Sequence, residues 1–229
     1  MHILFLPGAQ LTKEIWSPMV PFIPDSWDTC FVEYEHSMLQ RARAVSDIAS
    51  HISTRFSHTH WDCVIGHSMG GLVALQLVEA FGLHAESIIL IETNLRPAEP
   101  FYRNLLLPQN IEKCEDTVMA MLKKEAPYYS DALKQTWQND FDFTMHVKKS
   151  RIPVHALYGD RGQADYGKKI DDLNLDEETR SKLEFYFVRN ACHLLMVENP
   201  YDTADCIKAI LAAFSLFDGF VRVAAGRAE

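Results

Sequence analysis

Trp61-Asp62-Cys63-Val64-Ile65-Gly66-His67-Ser68-Met69-Gly70-Gly71-Leu72-Val73-Ala74-Leu75-Gln76-Leu77-Val78-Glu79-Ala80 reads as three pieces in one run. The opening WDCVI is a short apolar stretch of β-branched and other buried-type residues, which predicts a strand over 61–66. The closing LVALQLVEA places Leu72, Val73, Leu77, Val78 and Phe81 at steps of three and four around one helical face. Between them stands Gly66-x-Ser68-x-Gly70, with no room for a loop. A serine between strand and helix sits on a sharp, strained turn, and small neighbours at 66 and 70 let the two elements approach around it. Its Oγ is then presented at a sheet edge and at a helix N-terminus, where developing negative charge is favoured.

Working outward, short apolar runs recur near 2–6, 28–34, 86–92, 153–158 and 184–188, separated by longer helical patterns. This alternation predicts a mostly parallel six-stranded sheet with helices on both faces, an α/β architecture. The stretch Ser37–Phe56 reads as one amphipathic helix through Met38, Leu39, Ala42, Val45, Ile48, Ala49, Ile52 and Phe56. Tyr201, Ala204, Ile207, Ile210, Leu211 and Phe214 form the stripe of a last helix, with Asn199 as its cap and Pro200 in its first turn. Residues 95–150 break the rhythm and are too long for a plain loop, so they are expected to form a helical lid over the carboxyl edge of the sheet. The core is then 1–94 with 151–229. Within the lid, Met119, Met121, Trp137, Phe141, Phe143 and Met145 are candidates to line an apolar acyl pocket, the alternative being ordinary core packing.

A serine hydroxyl needs a base within hydrogen-bond reach, usually a histidine held by a carboxylate. Of ten histidines, His193 lies in FVRNACHLLMVENP, after the last strand and ahead of the final helix, and by chain order it is the best partner for Ser68. His67 adjoins the serine but points away from it in a regular turn, which makes it a supporting neighbour. Two backbone N–H groups must converge to hold an oxyanion. Met69, the residue after the nucleophile, can supply one, and Ala9 in the Leu6-Pro7-Gly8-Ala9 turn after the first strand can supply the other. Leu11 and Trp16 are expected beside the same mouth.

With LPGA after the first strand, GHSMGG at the turn and a late histidine in CHLLMVENP, the chain resembles a small member of the α/β-hydrolase superfamily across essentially its whole length. The resemblance implies strand order 2-1-3-4-5-6 and a cofactor-independent serine hydrolase. The acid is where the sequence departs from the family pattern. Members most often carry it in G-x-x-D after the penultimate strand, and here that loop reads Tyr158-Gly159-Asp160-Arg161-Gly162, with Gly162 at the expected position. Some members place it instead at the end of the strand after the nucleophile helix, where IILIETNLRP offers Glu92. A glutamate closing an apolar strand is costly unless paired, which favours Glu92, with Asp160 and then Asp165 as alternatives.

Composition narrows the partners. A 229-residue chain that is 48% hydrophobic and 23% charged can bury one sizeable core and has no run long enough to span a membrane. Twenty-two Lys and Arg against 31 Asp and Glu give a net charge of −9, which argues against nucleic acid. Five cysteines, an odd number without a C-x-x-C pair, follow a start that runs directly into HILFLPG, so reduced thiols and a cytoplasmic location are expected. His58-x-His60 lacks a nearby acidic or cysteine partner and reads as solvated loop, and Cys192 as a small apolar residue, so neither a metal nor a cofactor is expected. The function these residues point to is hydrolysis of a carboxylic ester or thioester of a small, largely apolar acyl group through an acyl-enzyme on Ser68. Carbon–carbon bond or amide hydrolysis on the same scaffold, and a non-catalytic ligand-binding protein of this fold, are the alternatives.

Overall fold

The computed structural model of the protein describes residues 1–138 and 140–215; the Phe214 side chain and residues 216–229, expected to continue the last helix and the core, lie outside that description. Six strands, β1 (His2–Leu6), β2 (Asp28–Phe31), β3 (Cys63–His67), β4 (Ile88–Ile91), β5 (Val154–Gly159) and β6 (Leu183–Val188), form one sheet in the order β2-β1-β3-β4-β5-β6. Every pairing is parallel. The reason is visible in burial along the strands, where side chains alternate between two apolar layers. Leu4, Leu6, Val64, Ile88 and Leu90 enter one core, and Ile3, Phe5, Ile65, Ile89 and Ile91 enter the other.

Helices α2 (Val45–Phe56) and α3 (Met69–Glu79) cover the first face, and α9 (Pro200–Ser215) covers the second. Asn199 caps α9 as expected, its Oδ1 accepting from the Asp202 N–H. The single helix read over 37–56 is instead two, α1 (His36–Leu39) and α2, because the Arg43 and Ala44 N–H groups turn onto the Asp47 carboxylate and start a new helix there. Amphipathic spacing alone does not register such a break, since the apolar residues on both sides of it still face the same core.

Between β4 and β5, residues 95–150 contribute α4 (Ile111–Glu125), α5 (Asp131–Gln138) and α6 (Thr144–Lys149). The insertion is bolted to the core: His36 Nε2 pairs with the buried Glu125 carboxylate at 2.7 Å under a stacked Tyr128 ring, and Ser130 Oγ donates to the Ala42 carbonyl. After β5 come α7 (Glu177–Ser181) and, following β6, the short α8 (Leu195–Glu198). No helix among the described residues is long and apolar enough to cross a membrane. Strands β2 and β3 leave β1 in opposite directions, so a crevice opens where the chain reverses, at the carboxyl ends of β1 and β3.

Candidate active site

Ser68 lies in that crevice. Its backbone is at φ +52°, ψ −121°, a conformation that costs of order 1–3 kcal/mol for a residue with a Cβ and must be held by its surroundings. The hold is specific: the Ser68 N–H donates to the Ile91 carbonyl at 2.8 Å, and the Ser68 carbonyl accepts from Thr93 Oγ1 and from the Gly71 N–H. Glycine at 70 is demanded by packing. A Cβ there would stand 2.3 Å from the Leu6 carbonyl oxygen and 2.5 Å from that of Pro7, so only glycine lets the start of α3 reach the turn after β1. That turn is itself pinned, with Tyr34 Oη donating to the Pro7 carbonyl at 3.0 Å. The Ala9 and Met69 N–H groups, which flank Ser68 from the turn and from α3, donate to no other group among the described residues.

Opposite Ser68, His193 shares the same cavity. Its backbone is clamped on both sides: its N–H donates to the Leu105 carbonyl at 3.1 Å, and its own carbonyl accepts from His67 Nε2 at 2.8 Å. His67 is therefore the neighbour that fixes the His193 loop. Burial, and then the nearby His193, push the His67 imidazole down to about 3, so it stays neutral. The fully buried Trp16, expected beside the mouth, packs edge-on against Phe5 and His67 and backs this ring instead. No hydrogen bond joins Ser68 Oγ to His193 among the described residues, a looseness common in unliganded sites.

The three candidate carboxylates part company here. Glu92 Oε2 lies 3.5 Å from His193 Nδ1, a long contact at the outer edge of hydrogen bonding. Asp160 is spent elsewhere: its Oδ1 accepts from the Gly162 and Asn190 N–H groups at 2.8 Å each and closes the turn after β5. Asp165 is exposed. Glu92 occupies φ +48° at the end of β4, with 2% of its surface exposed. Burial pushes its carboxyl up, but the Arg161 guanidinium and the hydrogen bonds it receives outweigh that, and the group rests below the usual carboxylate range.

Two charged residues of the site were not assigned from sequence. Arg161 grips Glu92 through both terminal nitrogens at 2.6 Å. Glu198, also buried, accepts from the Cys192 and Leu194 N–H groups with one oxygen and from the Leu107 N–H and Asn110 Nδ2 with the other. It thereby ties the His193 loop to the start of the insertion. Signals for both were present, since Arg161 sits in the Gly-Asp-Arg-Gly loop and Glu198 five residues after the histidine in HLLMVE, but a contact between distant segments has no local periodicity.

The cavity beside Ser68 holds about 480 Å³. Gly8, Ala9, Leu11 and Leu194 form its core side, and Leu105, Leu106, Ile111, Val118, Met119 and Leu122 close it from the insertion. Among the described residues the lining is apolar apart from the two histidines, the serine hydroxyl and the Cys114 thiol, without a carboxylate, lysine or arginine. Trp137 and Phe141, expected to line it, do not. Trp137 stands on the apolar face of α5 and packs against Tyr129, while Phe141 leans on Phe143 outside the crevice. A larger groove of about 810 Å³ opens at the other end of the sheet, around the starts of β5 and β6, away from Ser68. His60 meets the Glu86 carboxylate at 3.1 Å on the surface, a partner distant in sequence, and among the described residues no group of His, Cys, Asp and Glu could hold a metal.

Sheet order, crevice and serine turn together define the α/β-hydrolase fold. Solved structures share this fold at low sequence identity. An esterase from Thermogutta terrifontis superposes with a TM-score of 0.71 at 16% identity, covering 93% of this chain and 90% of the other. Est816, an N-acyl homoserine lactone degrading enzyme, gives 0.69 at 11% over 91% and 92%. Carboxylesterase CesB from Bacillus subtilis gives 0.63 at 16% over 93% and 84%. No protein-family model matches the sequence, and no curated protein does.

Proposed function

We propose that this protein is a serine hydrolase that cleaves a carboxylic ester or thioester of a small, largely apolar acyl group through an acyl-enzyme on Ser68. The observation that carries this reading is the strained Ser68 on the wall of an apolar cavity it shares with His193, with Glu92 3.5 Å behind the imidazole. The apolar lining supplied by the described residues suits a neutral hydrocarbon acyl group, and residues 95–150 act as the lid that excludes water from it.

In this mechanism Glu92 accepts the Nδ1–H of His193, which leaves Nε2 unprotonated and facing the serine. Ser68 Oγ attacks the carbonyl carbon as Nε2 takes its proton. The new oxyanion is held by the Met69 and Ala9 N–H groups, which have no competing partner among the described residues. The imidazolium then protonates the leaving alkoxide or thiolate, and the carbon–oxygen or carbon–sulfur bond breaks. Water, deprotonated by His193, attacks the acyl-enzyme by the same route and releases the carboxylic acid and Ser68.

A fluorophosphonate probe tests the reading directly. Wild type is expected to label stoichiometrically and to hydrolyse p-nitrophenyl butyrate, and Ser68→Ala to do neither. Labelling that survives the substitution sinks the proposal.

A further inference from the structure

The loop after β5, where the resemblance places the acid, carries instead an arginine aimed at the acid on β4. Arg161 Nη1 and Nη2 each lie 2.6 Å from a different Glu92 oxygen, and the ion pair is 1% and 2% exposed. The fork is fixed in turn: Nη1 also donates to the Gly159 carbonyl at 2.7 Å, and the Gly159 N–H donates to Glu92 Oε1 at 2.7 Å. Tyr102, from the insertion, lies under the guanidinium at 4.6 Å. Glu92 Oε2 is left to serve Arg161 and His193 together.

We propose that Arg161 is a positioning residue of this site, whose guanidinium fork holds the Glu92 carboxylate turned so that Oε2 faces His193. The proposal rests on reading Ser68, His193 and Glu92 as a catalytic triad. The titratable groups around the carboxylate are Arg161, His193, His67, Tyr102, Tyr158 and Cys192. Burial holds the two tyrosines and the Cys192 thiol protonated and neutral and keeps His67 unprotonated. Arg161 is therefore the one standing cation against Glu92 among the described residues. Without it, burial would favour a protonated Glu92, which cannot accept the Nδ1–H in the same way. Loss of Arg161 therefore switches activity off at a higher pH.

The experiment compares wild type, Arg161→Met, Arg161→Lys, Glu92→Gln and Glu92→Gln/Arg161→Met on p-nitrophenyl butyrate, with rates expressed per site titrated by fluorophosphonate. Arg161→Met is expected to lose on the order of 10- to 100-fold in kcat with KM unchanged, the cost of a misplaced partner group, and to shift the low-pH limb of kcat/KM toward neutrality. Arg161→Lys keeps the charge and loses the fork, so its limb stays near that of wild type while kcat falls. In the Glu92→Gln background, Arg161→Met should change kcat by less than about twofold, because nothing remains to position. Wild-type kcat and limb in Arg161→Met, or an equal loss in both backgrounds, overturn the proposal. Should Arg161→Met fail to fold, Arg161→Lys with wild-type kcat, or a further large loss in the double variant, which has no unpaired buried charge, overturns it equally. A wild type that neither labels nor turns over removes the triad and this role together, and that outcome is distinct from a wild type that labels beside Arg161 variants that match it.

Discussion

Glu92→Gln preserves the size of a buried side chain and removes its charge, so the consequences can be worked from the contacts it makes. The buried Arg161 would keep one bond, to the amide oxygen and weaker without the acceptor's charge, while its other terminal nitrogen would face the amide NH2 at the 2.6 Å now spanned by Nη2 and Oε2. Breaking a buried pair from one side costs about 3–5 kcal/mol. On the catalytic side, the amide can no longer hold His193 in the tautomer that leaves Nε2 free, for which a loss on the order of 10²- to 10⁴-fold in kcat is expected. Asp160→Asn is the control with the opposite signature. Its amide oxygen can still accept from the Gly162 and Asn190 N–H groups, so about 1–2 kcal/mol of stability is lost and turnover per site is retained. Urea unfolding followed by tryptophan fluorescence reads the first quantity, and p-nitrophenyl butyrate hydrolysis per titrated site the second. Full activity in Glu92→Gln with a dead Asp160→Asn would refute the assignment of the acid.

Three further outcomes follow from the same geometry. Because His67 is held down to about 3 while an unfolded histidine titrates near 6.5, the unfolded chain binds one more proton between those values; stability falls by about 1.4 kcal/mol per unit as pH drops through that window, and His67→Gln, which can still donate to the His193 carbonyl, should show a slope shallower by one proton in urea unfolding. Equal slopes would show that His67 is not the group responsible. Gly70→Ala drives a Cβ into the Leu6 and Pro7 carbonyls, so a loss of about 1–3 kcal/mol in thermal melts, together with reduced turnover, is expected, and unchanged turnover would contradict the close approach of α3 to the turn. Met119→Trp narrows the cavity from α4, and the ratio of kcat/KM for octanoyl over acetyl p-nitrophenyl esters should drop about tenfold; an unaltered ratio would mean that α4 does not wall the acyl site.

Much of the framework was legible because it is local. Strand, turn and helix around Ser68 are contiguous, and each strand announces itself by an apolar run that two helical layers must cover. The parallel order with the serine at the reversal came from motif resemblance and is the order seen. What was not legible involves choices between equivalent local patterns. Trp137 and Met119 both sit on amphipathic helices of the insertion, and only the docking of α4 over the crevice and of α5 away from it separates them. Likewise Glu92, Asp160 and Asp165 are three carboxylates on strand ends and loops, told apart by which turns converge on His193.

By itself, then, the sequence determined the sheet, the strained serine turn, and the loop that carries the late histidine, because periodicity and glycine placement act within a few residues. Only the tertiary structure decided that Glu92 faces that histidine, that Arg161 grips Glu92, and that Glu198 ties the histidine loop to the insertion. Those are pairings of buried charges and backbone donors from segments far apart in the chain. Desolvation makes each such group seek a partner, but the partner is named only when the sheet brings the strand ends together.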